Sequence, residues 1–195
     1  NPDKGLDGKA RVGVVNGLAY STVAGNGVGG SVLKIESVIV PGDGEINVSS
    51  TIGTGDMMKT SANAAKSFLN ANSHKFGIAK DRFRKSNLHV HIPCVSGVDG
   101  PSAGIAMTCA ILSAVTGKKV RGNWAMTGEV DLHGNVRAIG GVRDKVLGAR
   151  SCGVTNIILP EENRVDWEEV ADNVPGVHIE FVSTFDQVAK LVLLD

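Results

Sequence analysis

The 195-residue sequence predicts a single α/β (α+β) domain of mixed strands and helices, and three observations predict it. Runs rich in β-branched residues interleave along the chain with apolar stretches at helical spacing. Hydrophobic residues make up 42% of the chain and aromatics only 4%, so one sizeable core is available and Val, Ile, Leu and Ala must build it. Glycine, at 25 residues, supplies tight turns and close backbone approaches. The length fits one domain, 1–195, and no repeat, low-complexity stretch or linker divides it.

Each element has its own signal. Residues 11–20 (RVGVVNGLAY) and 31–40 (SVLKIESVIV) read as strands, and STVAGNGVGG between them as a glycine-rich hairpin loop. PGDG at 41–44 is a turn, followed by a short strand at 45–49. Residues 56–72 read as a helix, because Met58, Ser61, Ala62, Ala65, Phe68 and Leu69 recur on one face; Gly77 is its stop. A strand at 87–93 ends at Pro93, and the polar loop CVSGVDG leads into Pro101. Residues 102–116 are apolar all round, the mark of a buried helix, closed by Gly117. Short strands punctuated by Gly128 and Gly134 occupy 123–138. A helix at 141–152, a buried strand at 155–159, a helix at 164–172, a strand at 177–182 and a helix at 184–194 complete the chain.

Composition excludes several partners. Lys plus Arg equals Asp plus Glu, 20 each, so net charge offers no attraction to nucleic acid or an anionic membrane. No run approaches the ~18 apolar residues of a membrane span, and no signal peptide is visible. Three cysteines, Cys94, Cys109 and Cys152, without a CxxC pair argue for a reducing compartment rather than a disulfide framework. The first residue is Asn1 rather than Met, as expected of a fragment of something longer.

Two phosphate-loop patterns fail on context. GNGVGG at 25–30 matches GxGxxG, but a strand rather than a helix follows it. GTGDMMKT at 53–60 lacks the glycine before the lysine, where Met58 stands. His89, His91 and Cys94 form HxHxxC, and residues two apart in a strand share a face. The three therefore make a candidate metal set, short of a clear fourth ligand.

The most informative stretch is DGPSAG at 99–104. Asp99 suits an N-cap and Pro101 a first helical turn, which places Ser102 at the amino end of a buried helix. Backbone N–H groups and the helix dipole there favour negative charge, as an acyl-transfer oxyanion requires. Gly100 and Gly104 permit a substrate backbone to approach. A serine nucleophile needs a base, and Lys145 in GGVRDKVLGARSCG borders an apolar stripe of Val142, Val146, Ala149 and Gly153. A lysine pressed into apolar surroundings loses hydration, its pKa falls, and the neutral amine can accept a proton. A capping serine and a snorkelling surface lysine are the bland alternatives. Together the two residues form the Ser–Lys variant of nucleophilic catalysis.

With both motifs in place, the sequence resembles the proteolytic domain of the Lon proteases, of the class whose ATPase precedes the protease on one chain. The likeness runs from VGVVNGLAY at 12–20 to about residue 194. DGPSAGIAM at 99–107 is similar to the nucleophile motif, with Ser102 as the serine. AMTGEVDLHGNVRAIGGVRDKVLGA at 125–149 is similar to the segment that carries the catalytic Lys145. LHVHIP at 88–93 and GDMMKTSANAA at 55–65 are also family-like. The resemblance implies that Thr127 helps orient the lysine and that Glu36, His91 and Asp99 line or support the site. Loop 21–30 is longer than the family pattern, Met57 stands for valine, Thr60 for glutamate, and the loop from His91 to Ser102 is one residue short.

The resemblance implies an ATP-dependent serine endopeptidase of unfolded or regulatory proteins, cytoplasmic or alternatively in the mitochondrial matrix, assembled as a ring, usually a hexamer. It implies no cofactor in this chain, with ATP and Mg serving a separate ATPase module that was cut away or never present. Two other readings compete: a metal-dependent hydrolase using His89, His91 and Cys94, and a non-catalytic Lon-like assembly or binding module.

Overall fold

The computed structural model describes residues 6–22, 28–50, 56–93 and 101–195. The chain opens with β1 (Arg11–Val12), and β2 (Val14–Thr22) and β3 (Val28–Pro41) form an antiparallel hairpin. β4 (Ile46–Ser50), α1 (Asp56–Ala71) and β5 (Ser86–Ile92) follow. A 3-10 turn, Pro101–Ala103, leads into α2 (Gly104–Thr116). Next come β6 (Lys119–Val120), β7 (Trp124–Met126), β8 (Glu129–Val130), β9 (Val136–Arg137) and α3 (Val142–Ser151). β10 (Asn156–Pro160), α4 (Arg164–Val170), β11 (His178–Val182) and α5 (Phe185–Val192) complete it.

Seven strands make one sheet in the order β11-β10-β7-β2-β3-β5-β4. β2, β7, β10 and β11 run parallel; α1 and α2 lie in the long connection from β2 to β7, α3 in the crossover from β7 to β10, and α4 in that from β10 to β11. β3 is antiparallel to β2 and β5, and β4 runs parallel to β5. Side chains alternate across the sheet, so it carries two cores. On one face Val15, Leu33, Ile35 and Ile158 meet α1, α2 and α5, where Phe68, Phe76 and Phe185 stack edge to face. On the other Leu18, Ala125, Ile157 and Leu159 meet α3 and Trp167 of α4. α2 is buried from Gly104 to Val115, as an all-round apolar helix must be.

Several boundaries differ from the sequence reading. The strand expected at 11–20 breaks at Gly13, whose φ is +72°. Its carbonyl accepts the Ser37 N–H at 2.7 Å and its own N–H donates to Ser113 Oγ at 2.7 Å, so β1 turns away to pair with β6. The hairpin loop expected at 21–30 is shorter, because pairing continues to Thr22 opposite Val28. Residues 23–27 of that loop, and 94–100 of the later one, lie outside the described residues. The helix expected at 102–116 starts two residues late, so Ser102 sits in the 3-10 turn before it. β6 is only two residues long and gives no periodicity to read.

Candidate active site

Ser102 is half-buried on the turn that enters α2, and its backbone is clasped from one side. Its carbonyl accepts the Gly128 N–H at 2.9 Å and the Thr127 hydroxyl at 3.4 Å. The Gly128 carbonyl in turn accepts the Ile105 N–H at 3.0 Å. Thr127 is fully buried beyond the end of β7, and its N–H donates to Ile158 of β10, so the clasp is anchored in the sheet. Gly104 allows the two segments this close: a β-carbon there would stand 3.0 Å from Val130 N and 3.2 Å from the Gly128 carbonyl. No side chain caps α2, whose N-cap is Ala103. Asp99, expected as the cap, lies outside the described residues.

Lys145 is set by packing rather than by hydrogen bonds. It is 4% exposed, deeper than the border position read from the sequence, and Val142, Val146 and Ala149 are buried with it on one face of α3. Gly153, expected on that stripe, is exposed past the helix end. α3 lies almost on the backbone of β3. A β-carbon on Gly148 would stand 2.2 Å from the Gly30 carbonyl carbon, and one on Gly30 would stand 1.8 Å from the Asp144 oxygen. The two glycines therefore decide how near Lys145 comes to the sheet. Among the described residues Lys145 Nζ makes no hydrogen bond or ion pair. Burial disfavours its charged form and pushes its pKa from 10.5 down to about 8. Both α3 and the turn carrying Ser102 pack against β2, which brings serine and lysine to a common central strand.

The supporting residues fall into two groups. Thr127, expected to orient Lys145, instead gives its hydroxyl to the Ser102 carbonyl, and among the described residues no hydrogen bond joins it to the lysine. Glu36 and His91 stand opposite each other on β3 and β5. His89 and His91 share a face of β5, as i and i+2 must, and Ser49 Oγ of β4 hydrogen-bonds both rings, at 2.7 Å to His89 Nε2 and 2.8 Å to His91 Nδ1. Sequence reasoning missed Ser49. Its only signal was its position on a short strand, and the parallel register that sets Ser49 beside His91 comes from the fold. Cys94 lies outside the described residues, and the described residues hold no group of three metal-ligating His, Cys, Asp or Glu.

The fold is a mixed α/β domain that carries a serine at a helix entry and a desolvated lysine on a neighbouring helix. Residues 3–195 match the Lon protease (S16) C-terminal proteolytic domain. The Lon protease of Fusobacterium nucleatum is 44% identical over 196 residues, covering 99% of this chain and 25% of that protein. The Lon protease of Halothermothrix orenii is 42% identical over 187 residues, covering 95% and 23%. That of Brucella suis is 44% identical over 191 residues, covering 97% and 23%. The chain belongs to the Lon protease proteolytic-domain family. It spans about a quarter of the length of these relatives. Family membership gives the metal-dependent hydrolase reading no support. Among the described residues no helix is long and apolar enough to cross a membrane.

Proposed function

We propose that this domain hydrolyses peptide bonds with Ser102 as nucleophile and Lys145 as general base. The observation that carries the reading is the buried Lys145 amine, without a polar partner among the described residues, whose pKa of about 8 leaves a usable neutral fraction near physiological pH. In the first step the Ser102 hydroxyl oxygen bonds to the peptide carbonyl carbon as its proton passes to Lys145 Nζ. The carbonyl oxygen becomes an oxyanion, held by backbone N–H groups at the turn around Ser102. Collapse breaks the C–N bond, and Lys145 returns the proton to the leaving amine. Water then attacks the acyl-serine ester as Lys145 takes its proton, the bond between Ser102 Oγ and the acyl carbon breaks, Lys145 returns the proton to Oγ, and the acid product leaves.

Serine and lysine must come within hydrogen-bond reach when substrate fills the site, as catalytic contacts often do only in the complex. Thr127 holds the Ser102 backbone in place for that approach. Glu36, His91 and Asp99 support the site. The peptide-bond chemistry uses no cofactor. ATP and Mg act in an ATPase module of the parent chain that unfolds the protein substrates, misfolded or regulatory. The working assembly is a homo-oligomeric ring, a hexamer, in the cytoplasm.

The test is hydrolysis of fluorogenic peptides by wild type, Ser102→Ala, Lys145→Ala and Lys145→Arg between pH 6 and 10. Wild-type activity rises with pH through the lysine pKa, and the three variants lose it. Arginine stays protonated and cannot serve as base. Near-normal turnover by Lys145→Arg would remove Lys145 from the role.

A further inference from the structure

The two histidines of β5 are joined in a way that the hydrolytic steps do not use. His89 and His91 stand two apart on one strand and so share a face of the sheet. That face is open to solvent: His89 is exposed, and Val38, its neighbour on β3, is 58% exposed. His89 Nε2 lies 2.7 Å and His91 Nδ1 2.8 Å from the same atom, Ser49 Oγ of β4. A hydroxyl has one proton, so it donates to one ring and accepts from the other. Two imidazole nitrogens therefore converge on one point, held there by a side chain of the adjacent strand. Glu36, opposite His91 on β3, is exposed and adds negative charge beside the pair.

We infer that His89, His91 and Ser49 form a reversible binding site for a divalent late first-row cation, zinc or copper, which clips β5 to β4. Imidazole suits these ions, whereas a hard cation such as Mg2+ keeps to oxygen ligands and water. The ion takes the lone pairs of His89 Nε2 and His91 Nδ1 at about 2.0–2.1 Å, with Ser49 Oγ and water completing its coordination. The ring that gave its N–H to Ser49 carries that proton on its other nitrogen instead, exchanged through water. Both rings stay neutral and Ser49 keeps its hydroxyl proton. Two imidazoles hold an ion less tightly than the four protein ligands of a closed structural site, so the ion exchanges freely. It takes no part in peptide-bond chemistry, and the inference stands independently of the peptidase reading above.

The experiment is calorimetric titration of ZnCl2 into the 195-residue chain near neutral pH, after EDTA treatment and dialysis. Wild type takes up one Zn2+ per chain, and MgCl2 produces no binding heat. Removing His89, an exposed side chain whose loss leaves the core intact, weakens Zn2+ binding by at least about tenfold in His89→Ala. Ser49→Ala frees the two rings and weakens it by about tenfold. His133→Ala, at an exposed histidine on the β8–β9 connection, leaves it unchanged. Electron paramagnetic resonance of the wild type with less than one equivalent of Cu2+ reads the ligands without any variant, and shows two coordinated imidazole nitrogens. Unchanged Zn2+ affinity in His89→Ala or Ser49→Ala, or a copper spectrum with a single imidazole, would overturn the site.

Discussion

Ser102 stands half-exposed on a turn whose backbone is tied by two hydrogen bonds to Thr127 and Gly128. Lys145 stands 4% exposed on a helix pressed onto β3, with no polar partner for its amine among the described residues. One region is located by directional bonds and left open; the other is located by close packing and kept dry. The difference fits the roles proposed for the two groups. A nucleophile must be reached by substrate, so its position has to be set through its backbone, leaving the side chain free. A lysine base must lose its proton near neutral pH, and removing water from around it does that without any partner. A carboxylate beside Lys145 would stabilise the charged form and defeat the purpose.

The largest effects should come from removing either functional group. Ser102→Ala and Lys145→Ala should each lower peptide turnover by several orders of magnitude, and the double variant should be little worse than either, because the two act as one unit. Steady-state kinetics on one fluorogenic peptide checks this, and additive losses would mean the residues act separately.

The packing that seats Lys145 can be broken without touching the lysine. Gly148→Ala places a carbon against the Gly30 backbone, which cannot move aside as a side-chain tip can. Overpacking of this kind costs about 1–3 kcal/mol. A lowered urea midpoint and reduced turnover are expected, since α3 must shift away from β3. A matching change on the serine side should be milder. Thr127→Val deletes one long hydrogen bond to Ser102 and leaves the Gly128 bond intact, so about 1 kcal/mol and a modest fall in kcat are expected.

The two regions were unequally legible in the sequence. The Ser102 turn was read from DGPSAG, a string of residues with strong local preferences, and the position came out within two residues. Lys145 was read from the helical wheel as bordering an apolar stripe. Its near-complete burial was not legible, because that depends on β3 lying across the helix at Gly30, more than a hundred residues earlier. The alternation of strands and helices, the buried α2 and the apolar face of α1 were all readable from periodicity. The Gly13 break was not, since it rests on a bond to Ser37 across the sheet and another to Ser113. The clasp at Thr127 and the Ser49 bridge between two histidines likewise depend on strand register, which local sequence does not encode.

Stability should carry the signature of the dry lysine, with a sign that can be worked out. In the folded chain the pKa of Lys145 lies at about 8, below its unfolded value of 10.5. Below pH 8 the folded state must hold a desolvated charge, or give up a proton that the unfolded state keeps. Between pH 8 and 10.5 the unfolded state binds more protons, so stability rises with pH across that window. The full difference is about 3 kcal/mol. Lys145→Met should therefore be more stable than wild type at pH 7, by up to that amount, while having no activity. The advantage should fade as pH approaches 10.5. Denaturant unfolding at pH 7 and pH 10 measures it, and a destabilised Lys145→Met at pH 7 would count against a costly buried amine.

The most direct measurement is the titration of Lys145 itself, followed by NMR on the side-chain carbons next to Nζ and set beside the pH dependence of kcat/KM for the same preparation. The account predicts a midpoint near 8 for the amine and a rise in kcat/KM through the same pH. A midpoint near 10.5, with activity already full at neutral pH, would contradict it.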